Sequence, residues 1–416
     1  MNKKAVIIGG GIIGLSSAYY LHQQGYDVTV LEKNTFANAC SKGNQGWVCP
    51  ALHTPVPEPG LVGSSIKWLM KKDSPLYIKP SAAPSLSGWL SQFMKFCNER
   101  DFKKGKDALH HLSEKTFELF DALEADGLDF EMHREGMLFV FLNEKELKQS
   151  MDKFNEGSEL YGHEAPIILS GDEVRKLEPN VSNRVIGGLL LKEQRHVNPE
   201  TVSKALVEKL RSLGVTLRAN TEVTNIERVA DKATALKSGE EKFDADAFLL
   251  TAGAWSGNLA KQFGYTLPLQ AGKGYSITIS NPNLKFSHPV YLGDTKSGIS
   301  PFNGATRIGG TMELSGLNST IDTKRIQGIR NSVFKYLNET LHGDSEIEWT
   351  GLRPMTPDGL PVLGLIPGFK NAFIATGHGM VGVSMAPVTG KIMADLIHFG
   401  LTEFHIEPFN PRRFTK

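Results

Sequence analysis

Three glycines, Gly9, Gly11 and Gly14, follow the apolar run Ala5 to Ile8 and open a helical stretch from Ile12 to Gln24. This G-x-G-x-x-G spacing suits a dinucleotide. The first glycine permits the turn out of the strand, the second lets the backbone approach a pyrophosphate with no Cβ in the way, and the third lets helix and strand pack closely. The helix opening at Ile12 and Ile13 points free N–H groups and a positive dipole end at the phosphates. Glu32, with Lys33 behind it, closes the next strand 18 residues after Gly14. A carboxylate there accepts both hydroxyls of an adenosine ribose and disfavours a 2′-phosphate. A glycine turn without a nucleotide is the competing reading, and the agreement of strand, glycines, helix and acid weighs against it.

Arg353, in WTGLRPMTPDG, brings a second kind of chemistry. An arginine before a proline, in a Gly/Pro-rich turn, is held extended, and its guanidinium fork pairs bidentately with a carboxylate. Satisfying nearby backbone carbonyls is its alternative role.

The elements that must position these residues are legible in outline. Strand, tight turn, helix and the second strand YDVTVLE make a βαβ unit of a parallel sheet. A nicotinamide dehydrogenase would continue alternating strand and helix. Here the second strand leads into KNTFANACSKGNQGWVCP, a loop of short polar residues suited to run beside a long extended cofactor, which favours FAD. Pro50 to Pro84 reads as a long ordered excursion. Helical patterns cover Leu86 to Asn98, Gly105 to Asp126 and Glu144 to Tyr161, with a β-like run from Gly136 to Leu142. Ser170 and Glu173 are spaced as a capping box. A helix from Asn198 to Leu213 precedes strand-like runs that continue to the TAGAWS segment, and Pro268 to Gly316 is a set of short β runs. Thr323 to Leu341 is helical, Ala372 to Ile374 a strand, and Gly382 to His398 the last helix.

The bulk composition narrows the classes. A chain of 416 residues is long for a single core and suits two domains. A net charge of +1 lacks the basic excess that nucleic-acid binding calls for. Cys40, Cys49 and Cys97 form no C-x-x-C pair, so neither a disulfide scaffold nor a metal site is expected, and a reducing compartment is the default. Lys3 and Lys4 before an apolar run look superficially like a signal peptide, but no small-x-small cleavage pattern follows. No apolar run reaches 18 residues. A cytoplasmic protein is expected, with peripheral contact on the inner membrane face left open.

Taken together, GGGIIG…VLEK, SKGNQG, GKGYSITI, WTGLRPMTPDGLPVLG and ATGHGMVGVSMAPVTGKIMADL resemble the D-amino-acid dehydrogenases, within the D-amino-acid oxidase and glycine oxidase group of flavoproteins. The resemblance extends to about Ile397 and is most specific in GLRPMTPDG and TGHG. It implies an α/β architecture in which a Rossmann-like FAD-binding domain (1–85, 196–265 and 346–416) interleaves with an α+β substrate domain built on a large antiparallel sheet (86–195 and 266–345). It also implies that Arg353 holds the substrate carboxylate, since the group places its carboxylate-binding arginine in this motif. Ser41, Lys42, Asn44 and Gly46 match the loop beside the flavin, Val223 the backbone contact to adenine, and Thr251, Ala252 and Gly253 the strand end near the pyrophosphate. Backbone N–H groups of Gly379, Met380, Val381 and Gly382 are expected at the flavin pyrimidine edge, where negative charge grows on reduction. His378 stands either as a flavin neighbour or as a turn residue. Tyr275 stands either as a site wall or as a buried sheet tyrosine, and Tyr291 likewise. The oxidase relatives carry a substrate-binding tyrosine near Ser297 to Pro301, where this chain has Ser-Gly-Ile-Ser-Pro.

The expected activity is oxidative deamination of D-amino acids to 2-oxo acids and ammonia. The α-hydrogen passes as hydride to flavin N5, and electrons go on to a quinone or other carrier, with O2 the alternative acceptor. An oxidase or dehydrogenase for glycine, sarcosine or a cyclic imino acid such as D-proline or hydroxyproline fits the same residues, and a flavin-binding subunit without turnover is the non-enzyme alternative. No partner protein is evident.

Overall fold

A computed structural model describes residues 2–61 and 76–415, so part of the Pro50 to Pro84 excursion lies outside the described residues. The chain forms two principal sheets. The first has six strands in the order Thr216–Arg218, Asp27–Leu31, Lys4–Ile8, Ala247–Leu250, Ala372–Thr376 and Val362–Leu365. Its first five strands are mutually parallel and only Val362–Leu365 runs antiparallel. Alternating residues feed two cores, as a sheet covered on both sides requires. Ala5, Ile7, Val28 and Val30 face a core shared with the helices Ile12–Gln23 and Ala386–Phe399, while Val6, Ile8, Leu31 and Leu250 face the opposite one. The two helices nearly touch at the backbone: a methyl at Gly390 would sit 2.7 Å from the Ser16 carbonyl.

The second sheet is larger and mostly antiparallel. Its order is Ser345–Met355, Gln270–Ser280, Ala305–Leu314, Ser297–Phe302, Val290–Leu292, Met137–Phe141, Gly187–Leu191 and Ile167–Ser170, with Leu76–Ile78 added beside Ala305–Leu314. Two of its pairings, Val290–Leu292 with Met137–Phe141 and Leu76–Ile78 with Ala305–Leu314, are parallel. The helix Thr323–Phe334 covers one face, packing Ile326, Ile329 and Val333 on Ile277, Ile279 and Ile308. The other face turns toward the first sheet.

Several local expectations meet the structure in detail. Ser170 and Glu173 form a reciprocal capping box. The stretch expected as one helix over 105–126 is two, Glu99–Ser113 and Thr116–Ala125, the first started earlier by the Asn98 side chain accepting from the Asp101 N–H at 3.0 Å. The large sheet also reaches past the division drawn from sequence. Ser345–Met355 pairs along its whole length with Gln270–Ser280, and Leu76–Ile78 joins the same sheet. Arg353 therefore stands on an edge strand, not in a turn.

Candidate functional site

Strands Lys4–Ile8, Asp27–Leu31 and Ala247–Leu250 end in register, with Ile8 opposite both Leu31 and Leu250. The chain leaves the first of these strands between neighbours reached in opposite directions, which is where open α/β sheets bind ligands. An elongated cavity of about 720 Å³ opens there, within the roughly 300–1,000 Å³ typical of cofactor sites. Glu32 and Thr221 to Thr224 line one end, Gly9, Gly11, Ile12 and Ile13 the middle, and Leu352, Pro354, His378, Gly379 and Gly382 the other end.

Each glycine of the turn has its own reason. Gly9 has φ +108°, a conformation that side chains rarely adopt. A methyl at Gly14 would lie 2.0 Å from the Gly9 carbonyl oxygen, so this glycine packs helix on strand and does not line the cavity. At Gly11 a methyl would meet only the Ser41 hydroxyl, at 3.9 Å, and would otherwise project into the cavity. The helix Ile12–Gln23 has no side-chain N-cap, although the Ile12 N–H donates to Ser41 Oγ at 3.3 Å. An uncapped helix start beside an open glycine is a cradle for phosphate. Glu32 accepts from the Gly10 N–H at 2.7 Å and the Asn34 N–H at 2.9 Å. Each carboxylate oxygen so held keeps further acceptor capacity toward the cavity. These residues fit an extended adenine dinucleotide.

Ser41, Asn44, Val223, Thr251, Ala252 and Gly253 also line the cavity. Thr251 donates to the carbonyls of Ile8 and Gly9 and so ties two strand ends together. Lys33 lines the rim, with its ammonium 2.7 Å from Glu222. Lys42, Gly46, Met380 and Val381 do not line the cavity. Lys42 reaches Asn38, Val381 packs into the core, and the Met380 carbonyl accepts from Asn44 Nδ2. Gly46 has φ +76°, and a methyl there would strike the Val197 carbonyl oxygen at 1.9 Å.

The loop 42–44 is held by residues to which sequence reading gave no role. Arg307, 2 % exposed, donates to the carbonyls of Lys42 and Asn44 at 3.0 and 2.7 Å, to Thr278 Oγ1 at 2.9 Å and to Glu200 at 2.8 Å. Ser276 Oγ donates to the Gly43 carbonyl, and the Trp349 ring lies against Gly43. The one available signal was a charged residue inside the β run ATRIGG.

Arg353 itself does not line this cavity: it is half-buried on the strand between the lining residues Leu352 and Pro354, within electrostatic reach of the lining residue Cys40. Its guanidinium lies over Gly274, where a Cβ would come within 2.4 Å, and Nη1 donates to the Thr311 carbonyl at 2.9 Å. Burial lowers its pKa, and Cys40, which lines the cavity, is near enough to interact with its charge. Among the described residues no carboxylate pairs with it.

Tyr275 and His378 point elsewhere. Gly272 pairs with Arg353 and Tyr275 with Thr350, so Tyr275 and Arg353 project from opposite faces of the sheet. Tyr275 is 2 % exposed, packs under the helix Thr323–Phe334 and donates to Glu313 at 2.7 Å. It is the buried sheet tyrosine of the two readings. Tyr291 is packed edge-on against Trp47. His378 touches the cavity wall, but its Nε2 pairs with Thr389 Oγ1 at 3.0 Å, and burial lowers its pKa to about 3, so the ring is neutral. The Gly379 N–H, expected at the flavin, donates instead to the Pro354 carbonyl at 2.9 Å, tying this turn to the Arg353 strand.

Comparison with known proteins agrees with this architecture. The chain is 31% identical to a D-amino acid dehydrogenase of Helicobacter pylori over 404 residues, 97% of each chain, and 31% identical to one of Vibrio atlanticus over 99% of this chain and 100% of that one. In fold it is similar to glycine oxidase from Geobacillus kaustophilus (TM-score 0.77, 21% identity, all of both chains) and to L-proline dehydrogenase from P. horikoshii (TM-score 0.76, 19% identity, 99% and 98% of the chains). Residues 4–396 match the FAD dependent oxidoreductase family, DAO, and with that match, the dinucleotide cradle and the two-sheet fold in agreement, the chain belongs to that family and uses FAD.

Proposed function

We propose that the protein oxidises D-amino acids to the corresponding 2-imino acids, which water converts to 2-oxo acids and ammonia. The observation that carries this reading is Arg353, a half-buried guanidinium beside the far end of the cofactor cavity whose charge no carboxylate of the described chain meets. A buried cation is costly alone and stable when paired. Its fork fits the carboxylate that every α-amino acid carries. Its own fixation, on the Thr311 carbonyl and against Gly274, limits how that carboxylate can lie.

FAD held along the cavity by the glycine turn and Glu32 would supply the acceptor for the α-hydrogen and its electron pair. The chain's part is orientation. Arg353 holds the carboxylate, and the loop 41–46, clamped by Arg307, borders the cofactor. Among the described residues, no side chain at the far end of the cavity is poised as a general base. His378 is neutral but bonded to Thr389, and Cys40 is kept as a thiol by burial, with a pKa of about 11. We assign removal of the ammonium proton to solvent. The names of the relatives in Helicobacter and Vibrio support D-amino acids as the substrate class. A quinone or other carrier then takes the electrons, and a membrane-dissolved quinone implies a peripheral encounter with the bilayer.

The test is an anaerobic panel of D- and L-amino acids, glycine, sarcosine and prolines, followed by bleaching of the bound flavin. D-amino acids should bleach it, and re-oxidation by a quinone analogue should outpace peroxide release in air. Arg353→Ala should keep the flavin spectrum while losing about 3–5 kcal/mol of transition-state stabilisation. Wild-type reduction rates in that variant would remove the carboxylate role.

A further inference from the structure

Away from the cofactor cavity a second, much smaller pocket of about 30 Å³ lies among four chain segments. His53 follows the turn Pro50–Leu52, His110 comes from the helix Glu99–Ser113, Tyr161 and then His163 close the helix Glu144–Tyr161, and Gln194 precedes the strand Arg195–Val197. His53 and Gln194 are each 3 % exposed. Yet both ring nitrogens of His53, Nδ1 of His110 and Oε1 of Gln194 have no hydrogen-bond partner. A buried polar atom left unpaired costs about 1–3 kcal/mol, and all four belong to side chains lining one space. His110 stacks on Tyr161 at 4.2 Å and meets His163 edge-on at 4.9 Å.

We propose that this pocket binds a small inorganic anion of halide size, taken up together with a proton on the imidazole cluster. The volume accommodates roughly two waters or one such ion, at about 10–15 Å³ for each water. Its lining sets two lysines, three histidines, a tyrosine and a glutamine against a single carboxylate, that of the exposed Glu164. Turning the Gln194 amide over brings its NH2 group into the pocket, and a protonated imidazole offers two N–H donors. Lys106 and Lys153 stand at the wall, each paired outward, with Glu156 and Glu58 respectively, so their charge is already met. Among the described residues no three metal-ligating side chains are grouped to hold a cation.

At neutral pH the cluster is uncharged. Burial lowers the His53 pKa to about 3 and that of His110 to about 4, and lowers that of His163 too. The other charges facing it are Asp107, His111 and Glu114 on the first helix, and Glu164 and Glu193 on the loops beyond the second. Asp107 holds the Tyr161 hydroxyl and Glu114 the His111 ring, so neither carboxylate neutralises the cluster from inside. An entering anion raises the imidazole pKa values, and imidazolium with anion forms a neutral buried pair. The inference does not depend on Arg353 or on the flavin chemistry.

The test titrates the FAD-loaded protein with bromide, replaced by gluconate at constant ionic strength, at pH 6, 7 and 8. Histidine ring ¹⁵N shifts provide the readout. We expect saturable binding whose apparent Kd weakens about tenfold per pH unit, the slope for one proton taken up with the ion, and ring shifts moving to imidazolium values. His110→Asn should abolish this response and leave amino-acid oxidation unchanged. Neutral ring shifts with no bromide response would mean a water-filled pocket and overturn the proposal. A pH-independent affinity, or the same response in His110→Asn, would also overturn it. Should that variant not fold, bromide-soaked wild-type crystals decide, through anomalous signal in the pocket or its absence.

Discussion

At the scale of the residue, the two faces of the strand Gln270–Ser280 separate chemistry from support. Gly274 and Ser276 share the face that carries Arg353, one under its guanidinium and one bonded to Gly43, while Lys273 and Tyr275 point down to Glu313. Glu313 sits two residues after Thr311, whose carbonyl holds Arg353 and whose φ is +63°. Tyr275→Phe removes one hydrogen bond to a buried carboxylate that Lys273 still faces at 3.4 Å. It should therefore lower stability by about 1–3 kcal/mol while changing flavin reduction less than threefold, read by chemical unfolding and stopped-flow absorbance. A large loss of rate with unchanged stability would return Tyr275 to the site wall. Sequence spacing left both roles for this tyrosine, because a period of two fixes which residues share a face but not which face meets the ligand. Arg353 was legible because its residue type has few uses beside proline and glycine. Arg307 was not, since its purpose lies in loop carbonyls more than 260 residues away in the chain.

At the scale of the element, the turn after the first strand makes two glycines that look equivalent in sequence do different work. Gly11→Ala puts a methyl where only Ser41 Oγ is near, at 3.9 Å, so the fold should tolerate it, but the methyl occupies the space a pyrophosphate needs. Gly14→Ala drives a methyl against the Gly9 carbonyl at 2.0 Å and against Thr251 Oγ1 at 2.7 Å, both part of the strand-to-helix join. Overpacking of this kind costs about 1–3 kcal/mol. Gly11→Ala should thus weaken FAD binding at least tenfold with the apoprotein melting temperature little changed, and Gly14→Ala should lower the apoprotein melting temperature itself. Flavin fluorescence titration and calorimetry of the apoproteins distinguish the two, and equal FAD affinity in Gly11→Ala and wild type would contradict the assignment. The βαβ unit was readable because strand, turn and helix are contiguous. The large sheet was readable only as β-rich stretches, since its strands return from six separate stretches of chain and the glycines and prolines around Arg353 read as a turn although the segment forms the edge strand.

At the scale of the whole molecule, buried neutral histidines sit at three separate joins. His53 lies in the small pocket, His196 in the three-stranded sheet of Trp47–Val48, Arg195–Val197 and Met132–His133, and His378 between the last strand and the last helix. They are 3 %, 0 % and 4 % exposed, and burial lowers their pKa values to about 3, 4 and 3. An unfolded histidine titrates near 6.5. Between that value and the folded ones the unfolded chain binds protons that the fold refuses, so stability is complete above about pH 7 and falls as the pH drops through 6.5. From pH 6.5 to 5.5 each such histidine should remove about 1 kcal/mol, about 3 kcal/mol together. His133 opposes this, because its hydrogen bond to Glu131 raises its pKa and gives a stabilisation that is present at low pH. The window lies above the carboxylates lowered by their partners, such as Asp121 and Glu131, whose own contribution is lost only at lower pH. Urea unfolding at saturating FAD in gluconate buffer, at pH 7.5, 6.5 and 5.5, should show a loss of about 1 kcal/mol over the first step and of about 2–3 kcal/mol over the second. Adding bromide at pH 5.5 should recover part of that loss, because an anion beside His53 makes its protonated form tolerable in the fold. A stability that stays flat from 6.5 to 5.5 would mean that these imidazoles accept protons where they stand.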